Sequence, residues 1–337
     1  MKTQESSYDL AALFALVLRL VVGWTYFSAF WRRTILENKL DPELPGYIGE
    51  KFNHFLPNAI GIKPIIEYLV THPEVLHKAM VSFTVIEALV GLCIILGLAT
   101  RLMSIGVFSL AMGVLLGSGW LGTTCLDEWQ IGVLGIASGV MLFFSGGGTF
   151  SLDHLLKQKN STFTNKNGFP LFFSGDLPWK AKTLNTVVPL TAVIVLGLTL
   201  YTNQVFHGGL WGTLHNKSVK PKVEISNAIL TSDTLQMDVY RVEGADVYGS
   251  FLIEINLLDA DNQVIWSMNQ KELSKLKPNE IKNYYIAKVK PGKHSLVLPL
   301  GAKAQLNFVS NDFQRIKNQV VKIQLVDISG LQWETKL

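Results

Sequence analysis

Arg19 and Glu87 each interrupt a long apolar run of this 337-residue chain. A charge held inside such a run is costly and is usually paired or functional. At about 1.5 Å of rise per helical residue, Arg19 lies roughly 18 Å below Trp31 and Glu87 roughly 10 Å below Met80, so the two can meet. One reading is a structural ion pair between two helices. The other is proton delivery or ligand binding at mid-membrane depth.

A second constellation is Trp24-Thr25-Tyr26-Phe27-Ser28-Ala29-Phe30-Trp31-Arg32-Arg33. Its aromatics alone make an interfacial belt. The adjacent arginines add a paired guanidinium site suited to a small oxyanion. The third constellation, 119–130, puts Cys125, Asp127 and Glu128 in one turn with Trp120 and Trp129. A lone cysteine is usually inert packing, but this one sits beside hydroxyls and carboxylates at an interface. Cys93 is placed roughly 20 Å down its own helix. A disulfide needs Cα atoms within about 7 Å, so no Cys93–Cys125 bond is expected. His54, in Asn53-His54-Phe55-Leu56-Pro57, is a candidate proton carrier near neutral pH, although a single loop histidine is more often plain surface. Gly146-Gly147-Gly148 follows no strand and ends an apolar run, so it reads as a flexible exit turn rather than a phosphate cradle.

The elements that must position these groups are mostly apolar. Hydrophobic residues make up 48% of the chain and charged ones 17%, against about 25% charged in a soluble domain. The deficit is concentrated: 82–147 holds only Glu87, Arg101, Asp127 and Glu128 as charged side chains. Five stretches approach the ~20 apolar residues that cross a bilayer: 8–31, 80–98, 102–121, 131–144 and 184–205. Gly113/Gly117 and Gly135/Gly139 carry the spacing that lets helices approach closely in lipid. Lys157, Lys159, Lys166, Lys180 and Lys182 mark the 148–183 loop as cytoplasmic, and the 122–130 loop has no lysine or arginine. The N-terminus is then cytoplasmic, the long 32–78 loop is outside, and Arg32 and Arg33 stand outside against the rule. The net charge of +4 is too small to argue for nucleic acid, and two cysteines and seven histidines show neither a disulfide framework nor metal-ligand spacing.

After residue 212 the pattern changes to period two. Candidate strands are 223–230, 235–242, 250–258, 264–268, 282–289, 295–300, 304–309 and 320–328, with turn signals at Asp259-Ala260-Asp261-Asn262 and Lys290-Pro291-Gly292. The expected architecture is an α-helical membrane bundle, four core helices plus a fifth tethering helix, followed by an all-β immunoglobulin-like sandwich outside the membrane. The expected domains are 1–160, a linker and fifth helix at 161–212, and a β domain at 213–337.

The strings YFSAFWRR, KFNHFLPNAIG, FTVIEALVG, GWLGTTCLDEWQIG and FSLD, spread over 8–160, together resemble the DoxD family of the wider DoxX group. The β part resembles the DoxA subunit by architecture and position. That resemblance implies a thiosulfate:quinone oxidoreductase, which oxidises two thiosulfates to tetrathionate and passes the electrons to a membrane quinone. A quinone of menaquinone or ubiquinone type would be the only cofactor, and haem, flavin and metal are not expected. In that chemistry Arg32 and Arg33, with Arg19, are candidates for the thiosulfate dianion. Trp24, Tyr26, Phe27, Phe30, Trp31, Trp120 and Trp129 are candidates for an apolar quinone slot. Glu87, His54 and Asp127 are candidate proton donors, and Cys125 is a candidate sulfur-exchange thiolate. Competing readings are a quinone reductase for sulfide, sulfite or a thiol, and a non-enzymatic membrane scaffold whose sandwich binds a partner. Expected partners are thiosulfate, the quinone pool of a prokaryotic inner membrane and the bilayer. The sandwich is a candidate cap for the outer mouth or a seat for a second protomer in a homo-oligomer.

Overall fold

Glycine at 23 and 91 decides how the first two apolar segments meet. The computed structural model describes residues 7–44, 46–122, 127–159, 164, 168–246 and 249–337. In it a Cβ added to Gly91 would stand 2.4 Å from the Phe27 backbone nitrogen, and one on Gly23 would stand 2.9 Å from the Gly91 carbonyl oxygen. Only hydrogen fits at that crossing, as expected where membrane helices pack backbone to backbone.

The first helical segment is α1 (Ser7–Phe14) and α2 (Leu16–Trp31), with a π turn at Arg32–Leu36. The two parts bend by 53°. Two short helices follow, α3 (Glu50–Phe55) and α4 (Lys63–Thr71). Then come the long helices α5 (Pro73–Leu96), α6 (Thr100–Ser118) and α7 (Asp127–Ser145). The short α8 (Leu152–Gln158) and α9 (Phe169–Phe172) lead to α10 (Ala181–Phe206). Among the described residues four helices are long and apolar enough to cross a membrane, or five counting the bent pair as one span. The protein is a membrane protein by this measure. The sequence starts the second span at 80; in the structure α5 already begins at Pro73.

The C-terminal part is all-β with two antiparallel sheets. Its elements are β1 (Lys222–Leu230), β2 (Thr234–Glu243), β3 (Ser250–Leu258), β4 (Val264–Asn269), α11 (Gln270–Leu273), β5 (Ile281–Asn283), β6 (Lys290–Pro291), β7 (Leu296–Leu298), β8 (Lys303–Val309), α12 (Phe313–Ile316), β9 (Lys322–Asp327) and β10 (Gln332–Lys336). One sheet runs β1-β2-β8-β5; the other runs β10-β9-β3-β7-β6, with β4 also on β3. Met237 and Leu306 from the first sheet share one core with Leu252, Ile255, Leu257 and Leu325 from the second. The sequence-derived strand 282–289 shrinks to three residues, and β10 was not foreseen. The Asp259–Asn262 turn forms as expected: Asp259 Oδ1 accepts from the backbone of Asp261 and Gln263, and Asn262 takes φ 62°.

The chain divides into two compact units that interleave in sequence. The helical unit holds α1, α2, α5 from His77 onward, and α6–α10. The β unit also takes in Gly49–Leu76, which carries α3 and α4, and the stretch that starts at Trp120.

Candidate functional site

Within the helical unit, the Gly23–Gly91 crossing fixes an antiparallel register that sets the partners of both buried charges. On one side of the crossing Arg19, 3% exposed, donates to the carbonyls of Gly147 and Phe150. On the other side Arg33 Nη1 bonds and ion-pairs with Glu87 Oε2. The expected Arg19–Glu87 pair is therefore replaced by Arg33–Glu87. The register places residue 19 beside Gly97 and residue 33 beside 87. The Arg33 guanidinium also lies 5.9 Å from the centre of the Phe83 ring. Arg32 is exposed and donates from Nε to the Ser28 carbonyl at 3.3 Å. Of the two adjacent arginines, Glu87 engages Arg33 and Arg32 is exposed.

Tyr26 turns inward onto the buried cluster that includes Val90 and Val107, and its hydroxyl is 3.4 Å from the Val107 carbonyl. Trp24 and Trp31 point outward, 56% and 42% exposed. Phe27 and Phe30 continue that run, with ring centres 5.8 Å apart. Trp129 donates from its indole to Thr202 Oγ1 at 3.0 Å, joining α7 to α10. Trp120 is fully buried in the β unit, where its indole donates to the Phe55 carbonyl. Of the seven aromatics expected to form a quinone slot, Trp120 thus falls in the β unit and the other six in the helical unit. Apolar space lies in a 290 Å³ cavity between α6, α7 and α10, bounded by Phe108, Phe143 and Trp179, and in one of 370 Å³ between α1, α7 and α10.

Asp127 opens α7, and Cys125 lies outside the described residues. Cys93 carries a free thiol in α5.

The lysine-bearing end of the helical unit is a polar junction that sequence reasoning did not foresee. Asp153 accepts from the backbone of Ala99 and Thr100 and from the hydroxyls of Thr100 and Ser174, at 2.6–3.0 Å. Arg101, fully buried, donates to the carbonyls of Phe143, Pro170 and Gly175. Gly147 is no loose turn: its carbonyl receives Arg19, its N–H meets Ser174 Oγ, and an added Cβ would stand 2.7 Å from Thr100 Oγ1. The glycine run is a packed joint. With every Asp153 oxygen occupied by donors, this end holds structure together rather than offering a free acid.

Within the β unit, α3 is fastened side chain by side chain. Lys51 Nζ reaches Asp246 at 2.6 Å, and Asn58 Nδ2 reaches the Val242 carbonyl at 3.0 Å. Tyr285 donates to Glu67 at 2.8 Å. The Ser218 hydroxyl donates to the carbonyl of Gly122. His54 is half-buried, its Nδ1 inaccessible and unpartnered, 3.9 Å from Asp246 and too far for a hydrogen bond. Burial, then the charges of Lys51 and Arg241, outweigh Asp246 and pull its pKa from 6.5 down to about 4. With that pKa, His54 is neutral near pH 7.

This has a measurable consequence. Between pH 6.5 and about 4 the unfolded chain binds a proton that folded His54 refuses. Stability is full above that window and falls as the pH drops through it, by up to about 1.4 kcal/mol per pH unit. For Asp246, burial would raise the pKa, but the Lys51 hydrogen bond and charge hold it low, so its loss adds in the same direction at lower pH. His54→Gln should flatten the decline of the β unit's melting temperature between pH 6.5 and 4. An unchanged slope would mean that another group carries it.

Thr84 is the further group that sequence reasoning missed. It stands three residues before Glu87 on α5, 2% exposed, with its hydroxyl unpartnered. The spacing of His77, Thr84, Glu87 and Gly91 along one helical face was the available signal.

Two family models match the chain. Residues 14–179 match the one described as TQO small subunit DoxD, and residues 206–336 match the one described as TQO small subunit DoxA. No solved structure matches it.

Proposed function

This chain belongs to the DoxD and DoxA families of TQO small subunits, fused in one polypeptide, and from that premise we propose that it acts as a thiosulfate:quinone oxidoreductase. Two thiosulfate dianions lose one electron each and join through a new S–S bond as tetrathionate. The two electrons and two protons convert a membrane quinone, of menaquinone or ubiquinone type, into its quinol.

The observation that carries this reading is the buried Arg33–Glu87 pair beside Tyr26, at one end of an apolar helix bundle. A carboxylate held there can take up a proton from water and hand it to a quinone oxygen, and Arg33 orients it. Exposed Arg32 at the same end supplies positive charge for a dianion arriving from water. The lysines of 157–182 argue that the opposite end faces the cytoplasm. In that orientation the thiosulfate mouth and the β unit are extracytoplasmic, in a prokaryotic inner membrane. Cys125, in the GWLGTTC string, has the chemistry to form an S–S bond with one thiosulfate as two electrons pass to the quinone, after which a second thiosulfate breaks that bond, displaces the thiolate and leaves as tetrathionate.

The test is purified full-length protein in detergent with thiosulfate and a short-chain quinone, as wild type and as Cys125→Ser. The expected result is one tetrathionate per quinol from the wild type. Loss of turnover in Cys125→Ser would support a covalent sulfur step, and full retention would favour direct transfer. Reduction by sulfide, sulfite or a thiol without tetrathionate would move the substrate to another sulfur donor. Well-folded wild type that reduces no quinone would remove the reading.

A further inference from the structure

Helical hydroxyls in this bundle normally bond back to their own helix. Thr25, Ser118, Ser138, Thr191 and Thr199 each donate to the carbonyl four residues earlier. Thr84 does not: its Oγ1 is buried and has no partner, although the residue is only 2% exposed. An unmade hydrogen bond inside an apolar bundle lowers stability. A hydroxyl kept in that state is free for something that arrives.

Its surroundings define what that is. At 3.6 residues per turn, His77, Thr84, Glu87 and Gly91 fall within about 80° of arc on α5. Glu87 is the next polar group along that face and is tied to Arg33. Residues three apart on a helix are neighbours, about 5–6 Å between Cβ atoms. Two turns toward Pro73, His77 Nδ1 is also buried without a partner. A hydroxyl donor beside a carboxyl group, with Phe83 next to Thr84 in sequence and one helical turn before Glu87, suits a flat, uncharged molecule that presents a carbonyl oxygen.

We infer that Thr84 binds the electron acceptor: its hydroxyl donates to one carbonyl oxygen of the quinone, whose ring lies against α5 beside the Arg33–Glu87 pair. This rests on the quinone-reducing function above and gives that function a location. A hydroxyl donor there would favour the more negative oxygen of a reduced acceptor. Glu87, ion-paired with Arg33, would first take up from water each of the two protons that it passes on.

The experiment compares wild type, Thr84→Val and Thr84→Ser in full-length protein, with three readouts: steady-state kinetics against a short-chain quinone, melting temperature, and photolabelling by an azido-quinone. Valine keeps the shape and removes the unpaired hydroxyl. Thr84→Val should therefore melt no lower than wild type, yet show a quinone KM raised roughly tenfold, the effect of one lost hydrogen bond, with the thiosulfate KM unchanged. Thr84→Ser should restore most of the loss. The label should fall on Pro73–Leu96 in wild type and Thr84→Ser and be weak in Thr84→Val. An unchanged quinone KM and label in Thr84→Val would overturn the inference, since a structural water would then account for Thr84. A label confined to the cavity bounded by Phe108, Phe143 and Trp179 would also overturn it. If the wild type does not oxidise thiosulfate, the functional reading fails by itself. The label then decides: loss of α5 labelling in Thr84→Val upholds the quinone site, and no α5 labelling in wild type overturns it.

Discussion

Replacing Arg33 and Glu87 together, by Met and Leu, is expected to leave the bundle folded and to abolish thiosulfate-dependent quinone reduction. Replacing either alone should destabilise it. The two side chains are 20% and 7% exposed, so each charge depends on the other for compensation. Removing one partner of a buried pair strands the other, at about 3–5 kcal/mol, whereas exchanging both for apolar groups of similar volume is often neutral or stabilising. Catalysis has no such compensation, because general acid groups contribute about 10²–10⁴-fold. The measurement is a melting curve in detergent for Arg33→Met, Glu87→Leu and the double variant, each with the quinone assay. A double variant that melts normally and still turns over would leave the pair with a structural role only.

The second large effect is expected at Asn53. Its side chain is fully buried in the β unit. It accepts from the Ala287 N–H and donates to the Gly301 carbonyl, both at 3.1 Å. Asn53→Ala orphans both backbone groups, at roughly 1–3 kcal/mol each, so a loss of about 2–6 kcal/mol is expected. A β carbon on Gly301, whose φ is +73°, would stand 1.7 Å from the Asn53 carbonyl oxygen. Gly301→Ala should therefore produce the same release by a steric route. Both variants should open Gly49–Leu76 to added protease while the paired strands stay protected. An unchanged melt and cleavage pattern in Asn53→Ala would show that the remaining contacts, Lys51–Asp246 and Tyr285–Glu67, suffice.

The long helices and most strands were legible because hydropathy and alternation act locally. The strand expected at 250–258 is β3 residue for residue. Misses have local causes too. The start of α5 was hidden by Glu74, His77 and Lys78, which a hydropathy window rejects. β10, Gln332–Lys336, has one apolar residue and pairs only with β9. The site was less legible, because partners of buried charges depend on helix register. Gly23 and Gly91 set that register, and Arg19 and Arg33 look alike in the sequence until it is known. The placement of α3 on the β unit gave no signal at all. Asn53 binds backbone atoms, and any residue can supply those.

The bonds of Asn53 span 234 and 248 residues. Ribosomes add about 5–20 residues per second, so α3 waits roughly 12–50 s for its partners to be synthesised. Throughout that interval an asparagine destined for full burial, with Phe52 and Phe55 beside it, stays exposed beside a nascent membrane protein. Slowed synthesis or missing downstream residues would extend this vulnerable period. Quality-control proteases would then meet the chain first at Gly49–Leu76, long before any fault in the strands could be detected.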